Sequence, residues 1–262
     1  MSDLLFSKNK NIGSSRWNIK LLLLCHLAIL LLLFSLTSPA LAKLWGKIDA
    51  AIFSFLNGSL KDSLFLQHFW AFANHKLADW IEDFVILLFF VAYVQSQPKE
   101  ERLKSCARLL FMILYVAAII YFVNFLFFRH FLIIHRDSPT LVIDSSLHLS
   151  DQIPWLKIKD DSSRSFPGDH GTTALLFAAF FSSYARRGLA LLASLYALFL
   201  CLPRMVTGAH WFSDIVVGSG SIALFFWSLA FCTPLQQWVS SALHRLFCRI
   251  LDLKKKWTML DD

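Results

Sequence analysis

The sequence predicts an all-α fold, a polytopic bundle of six transmembrane helices with short interfacial helices on one side. Two observations carry this. The 262 residues are 56% hydrophobic and only 16% charged, too apolar for an ordinary soluble domain. The apolar residues gather into six runs, while Lys and Arg collect in alternate connections, the signature of a multi-pass membrane chain.

The first run, Leu21–Ala42, is long enough to span. A basic start, a leucine-rich stretch and Ala40-Leu41-Ala42 also describe a cleavable leader, but the length favours a retained span. Between Lys43 and Lys76 charge interrupts the apolar pattern. Ile48, Ala51, Ile52, Phe55 and Leu56 fall on one helical face, and Phe65, Phe69, Trp70 and Phe72 follow. This predicts one or two short helices at the outer interface, where aromatic rings are favoured. The second span, Leu77–Val94, carries Asp79, Glu82 and Asp83 in its first turns, and the third is Ala107–Phe128. The fourth, Thr172–Tyr184, is short unless its helix begins near Pro167, a residue suited to a first turn. Gly188–Val206 is the fifth, broken at Gly208, and Ile215–Cys232 the sixth. The expected organisation is a tail over 1–20, one transmembrane catalytic domain over 21–235 and a basic tail over 236–262.

Orientation follows from the basic flanks. A cytoplasmic N-terminus puts Lys8, Lys10, Arg16 and Lys20 inside, together with Lys99, Arg102, Lys104 and Arg108, then Arg186 and Arg187, and the basic C-terminal segment. The net charge of +7 then reflects membrane orientation, and nucleic acid is excluded because no basic stripe with interleaved aromatics occurs in a soluble segment. Cys25, Cys106, Cys201, Cys232 and Cys248 show no paired spacing, so neither a disulfide framework nor a zinc site is expected.

This orientation gathers four polar islands on one face: Arg129–Arg136, Arg164–His170, Arg204–His210 and Asp214. An ionisable residue reaching mid-bilayer costs roughly 2.5–3.5 kcal/mol, so charges that converge call for a reason. Arginines grip phosphate by forked hydrogen bonds, although a basic residue closing a span is often only an anchor. Around Pro167-Gly168-Asp169-His170 the free N–H groups of a helix N-terminus form an anion site, and His170 is placed to donate a proton. With the chain helical from His210, Asp214 falls four residues on and on the same face, where a carboxylate would hold the imidazole of a nucleophile. Asp169 should repel an anion unless paired, with Arg164 or Arg136 as partner; orienting His170 is the other role open to it. Asp160 and Asp161 read as solvated loop residues, His130 and His148 as surface residues, and His135 as a possible substrate contact.

These residues resemble the phosphatidic acid phosphatase type 2 (PAP2) superfamily of membrane phosphatases. Its motifs, Lys-x6-Arg-Pro, Pro-Ser-Gly-His and Ser-Arg-x5-His-x3-Asp, match Arg129-x6-Arg136, Pro167-Gly168-Asp169-His170 and Pro203-Arg204-x5-His210-x3-Asp214. The departures are an arginine for the lysine, Pro139 three residues after Arg136, Gly168-Asp169 for Ser-Gly, and Pro203 for the serine. Ser165–Gly171 and Pro203–Ile215 are similar to a branch that, in Gram-negative inner membranes, moves a phosphoryl group between lipids. The resemblance implies His210 as nucleophile, Asp214 orienting it and His170 as general acid and base. It implies phosphate held by Arg129, Arg136, Arg204 and the Gly168 and Asp169 N–H groups, with Arg164 and His135 as further contacts. It implies undecaprenyl diphosphate as donor, the 1-phosphate of lipid A as acceptor, a periplasmic site and both termini cytoplasmic. No cofactor, metal or protein partner is expected. A hydrolase sending the same intermediate to water stays open, because the first half-reaction is shared. A transporter is disfavoured, because the spans carry little charge away from their ends.

Overall fold

A computed structural model describes residues 16–123 and 134–258, with side chains as far as residue 252. Among the described residues the fold is helical, and the only ladder contact is a single bridge between Arg136 and Arg164. Helices occupy all six predicted positions: α1 Ile19–Thr37, α4 Lys76–Gln95, α5 Arg102–Ile120, α8 Asp169–Tyr184, α9 Arg187–Val206, and a π-helical turn Asp214–Ser219 continuing as α10 Gly220–Phe231. Four are long and apolar enough to cross a membrane unaided: α1, α5 with its flanks, α9, and the π turn with α10. Acidic residues in its first two turns set α4 apart, and α8 is short at 16 residues. α8 starts near Pro167 as expected, three residues ahead of Thr172, but Gly168 is the N-cap and Pro167 stands just outside the helix.

Ser38-Pro39 ends α1 five residues before the predicted Ala42, because proline disfavours helix in the residue before it. Pro39 then opens α2, Pro39–Gly58, and α3 follows as Leu64–Ala73. The buried face of α2 is Asp49, Phe53 and Asn57. The predicted face was instead built on Ile48, Ala51, Ile52, Phe55 and Leu56, of which Phe55 is exposed. Two short helices, α6 Pro139–Val142 and α7 Leu149–Gln152, lie in the α5–α8 connection, and the expected tail forms α11, Leu235–Thr258, against α5.

An aromatic core sets the depth of α8. Phe89 of α4 meets Phe177 and Phe181 edge-on at 5.5 and 5.7 Å, and Phe180 meets Phe231 of α10 at 5.1 Å. Such ring pairs contribute about 0.5–1.5 kcal/mol each beyond area burial. Gly171 lets α8 approach the π turn, since a Cβ there would lie 2.8 Å from Ile215 Cδ1. The start of α8 and the start of the π turn are thereby held side by side at one end of the bundle.

Candidate active site

His210 is delivered by a turn. After α9, Gly208 adopts φ +91°, which favours glycine, and the N–H groups of Ala209 and His210 donate to the Arg204 carbonyl at 2.9 and 3.2 Å. The buried ring, 4% exposed, places Nδ1 2.6 Å from the Ser165 carbonyl oxygen. A carbonyl only accepts, so Nδ1 carries the proton and Nε2 keeps its lone pair. That Nε2 is buried and has no hydrogen-bond partner. Ser165 is itself fixed, its N–H donating to the Arg136 carbonyl at 2.9 Å.

The expected grip of Asp214 on His210 is corrected. Asp214 Oδ2 lies 3.8 Å from Nδ1, beyond hydrogen-bond range, and accepts the Trp211 N–H at 2.7 Å. His210 sits in the turn ahead of the helix rather than on it, so the four-residue spacing does not align the two side chains. Asp214, fully buried, acts on His210 only through space, while the Ser165 carbonyl fixes the tautomer.

Arg136 also differs from expectation. Its Nη1 donates to Asp214 at 2.5 Å, and its Nη2 to Asp49 and to the Ser213 hydroxyl at 2.9 Å each. The guanidinium is thus shared by two buried carboxylates, which with the Ser213 hydroxyl take three of its five N–H groups. Asp49, 2% exposed, further accepts the Ser213 N–H at 2.8 Å and hydroxyl at 2.5 Å. It ties α2 to the segment that carries Asp214.

His170 opens α8. Its Nδ1 lies 2.9 Å from Asp169 Oδ1, which also accepts the His170 backbone N–H at 2.8 Å. The partner of Asp169 is thus His170, and neither Arg164 nor Arg136. The carboxylate also occupies one of the N–H groups expected to bind an anion. Arg204 Nη2 donates to His170 Nε2 at 3.2 Å, and its Nη1 to Asn74 Oδ1 at 2.6 Å. Asn74 in turn donates to the Thr207 hydroxyl at 2.7 Å, fixing the end of α9 to the end of α3.

Gly168 lies between the two histidines. A Cβ there would meet Ile215 Cδ1 at 2.7 Å and lie 3.8 Å from the His210 ring. The serine of the motif would therefore have to displace the Ile215 methyl. The Gly168 carbonyl accepts from the Ser219 and Thr172 hydroxyls at 2.6 and 2.9 Å. Ser219 closes the π-helical turn, a geometry that gathers at functional sites.

Arg129 and His130 lie outside the described residues. Arg164 and His135 have exposed side chains, and among the described residues neither hydrogen-bonds to the histidines, Arg136 or Arg204. Asp160, expected in solvent, is buried and its carboxylate accepts the Ser150 N–H at 2.8 Å. A cavity of about 260 Å³ opens beside His170, lined by Asp169, Thr173, Phe177 and the α4 carboxylates Asp79, Glu82 and Asp83. The sequence reading missed Asp49, Asn74 and this acidic wall. The legible signal was polar Asp49 and Asn57 flanking Phe53 at four-residue steps.

Over 241 residues the chain is 29% identical to lipid A 1-diphosphate synthase of Escherichia coli (strain K12), covering 91% of this chain and 97% of that protein. The crystal structure of Aquifex aeolicus LpxE aligns with a TM-score of 0.42 and 17% identity, over 70% of this chain and 94% of that one. The PAP2 superfamily model matches residues 108–238, which hold both histidines, Asp214, Arg136 and Arg204. The chain belongs to the PAP2 superfamily.

Proposed function

We propose that this protein transfers the terminal phosphoryl group of undecaprenyl diphosphate to the 1-phosphate of lipid A. The observation that carries the reading is His210, a buried imidazole with Nδ1–H committed to the Ser165 carbonyl and an unpartnered Nε2. The extended similarity to lipid A 1-diphosphate synthase supports the choice of substrates.

In the first half-reaction Nε2 of His210 attacks the terminal phosphorus and the bond to the bridging oxygen breaks. A phosphohistidine forms, and His170 protonates departing undecaprenyl phosphate. In the second, His170 takes a proton from the lipid A phosphate as its oxygen attacks the phosphohistidine, giving lipid A 1-diphosphate and free His210. Asp169 stabilises the imidazolium form of His170. For its Nε2 to carry that proton, Arg204 must leave it and turn to the phosphate. Arg204, the Gly168 and Asp169 N–H groups and, if it reaches the site, Arg129 offset charge on the equatorial oxygens, the main need of phosphoryl transfer. Arg136 and Asp214 hold the frame. The site would face the periplasm of a Gram-negative inner membrane, with both termini cytoplasmic.

Incubating the purified protein with undecaprenyl diphosphate labelled at its terminal phosphate, with and without lipid A, tests this. Label should appear in lipid A 1-diphosphate when lipid A is present. Label released only as inorganic phosphate under both conditions would instead make the protein a hydrolase.

A further inference from the structure

A second cavity lies where α1 turns into α2. It measures about 440 Å³, within the usual range of about 300–1,000 Å³ for ligand pockets. Leu33 and Leu36 of α1, Trp45 and Gly46 of α2, and Phe166 and Arg136 line it. The bend is held by the Trp45 indole N–H, which donates to the Ser35 hydroxyl at 2.9 Å. We propose that this groove holds the hydrocarbon chain of a single-chain polyprenyl diphosphate, leading its phosphates to His210.

Continuity and charge both argue for this occupant. Two of the lining residues already belong to the site. Arg136 contacts Asp214, and Phe166 is separated from Gly168 by one residue. The two cavities differ sharply in charge. Four carboxylates, Asp79, Glu82, Asp83 and Asp169, line the one beside His170, whereas none of the described residues lining the α1–α2 groove is acidic. A diphosphate carries its negative charge at the head of an apolar tail. Drawing that head past the carboxylates of α4 is opposed by repulsion, whereas the α1–α2 groove is apolar as far as Arg136, whose charge Asp49 and Asp214 already offset. One groove suits one chain, which separates a polyprenyl donor from a lipid with several acyl chains. The α1 wall faces hydrocarbon along its exposed leucines, so the tail need not cross water to enter.

Gly46 offers a direct test. A Cβ there meets nothing within 4 Å, and the residue is outside the catalytic network. In full-length protein, Gly46→Trp should raise KM for undecaprenyl diphosphate about tenfold or more, the effect of losing the burial of roughly two methylenes. Turnover of isopentenyl diphosphate, whose tail is too short to fill the groove, should stay unchanged. An unchanged KM for the long substrate overturns the assignment, as do equal losses on both in a folded protein. Should the variant fail to fold, the unaltered protein decides. Undecaprenyl diphosphate bearing a diazirine on its chain should crosslink within Leu33–Gly46, and label confined to α4 and α8 overturns the proposal. The assignment rests on the phosphotransfer reading, but unaltered protein that releases phosphate from neither diphosphate ends that reading alone, and the crosslink still reports on the groove.

Discussion

The two histidines differ in what surrounds them, and that difference predicts different losses. His210 is buried, with one nitrogen spent on a carbonyl and the other free. His170 is 38% exposed at its side chain and backed by a carboxylate. If His210 is the nucleophile and His170 the acid, His170→Ala should slow release from undecaprenyl diphosphate by about 10²–10⁴-fold. It should slow release from p-nitrophenyl phosphate far less, because that leaving group departs unprotonated. His210→Ala should abolish release from both. Equal losses for His170→Ala on the two substrates would remove it from the acid's role. The Asp49–Arg136–Asp214 triplet supports a second prediction, on stability. Arg136→Ala leaves two buried carboxylates without their cation, a loss of about 3–5 kcal/mol. Asp49→Asn leaves one balanced pair and an amide that still accepts from Ser213, a loss of about 1–3 kcal/mol. Thermal unfolding in detergent should rank Arg136→Ala well below Asp49→Asn, and the reverse order would show that Arg136 does not offset the two carboxylates.

At the scale of elements, the end of α9 decides where His210 stands. Gly208 at φ +91° faces the Thr140 methyl and the Phe53 ring, and an added Cβ would clash with the first and lie 3.0 Å from the second. Gly208→Ala combines an unfavourable backbone with a clash against helices α6 and α2. It should cost about 1–3 kcal/mol and lower kcat, because the same turn positions the Arg204 carbonyl and the His210 N–H. Wild-type kcat in this variant would show that the turn tolerates a shift without moving the ring. This turn was legible in the sequence because glycine between a span and a histidine has a local physical meaning. The six helices were legible for the same reason, as hydropathy is a property of consecutive residues. What was illegible depends on distant pairing. Arg136 finds Asp49 across 87 positions and Arg204 finds Asn74 across 130, and no local period encodes either match. The reading of Asp214 failed differently. Four-residue spacing aligns side chains only within a helix, and His210 precedes it. The motif spacing marks Arg136 as a cation of the site but carries no sign of its buried carboxylate partner on α2.

Across the whole molecule, alternation of the crossings is what lets separate islands form one site. Arg204 reaches His170, Ser165 reaches His210 and Arg136 reaches Asp214, so the start of α8, the end of α9 and the start of the π turn share one end of the bundle. Arg186 and Arg187, at the α8–α9 connection, then lie at the other end. If the basic connections are cytoplasmic, everything near His210 is periplasmic, including exposed His135. A thiol introduced there as His135→Cys should react with a membrane-impermeant maleimide on intact spheroplasts. One introduced as Arg186→Cys should react only in inverted vesicles, and the native Cys106 and Cys248 should behave like the latter. The opposite pattern would put the site on the cytoplasmic face, where a periplasmic lipid phosphate could not reach His210. It would overturn the proposed acceptor while leaving the chemistry of the two histidines intact.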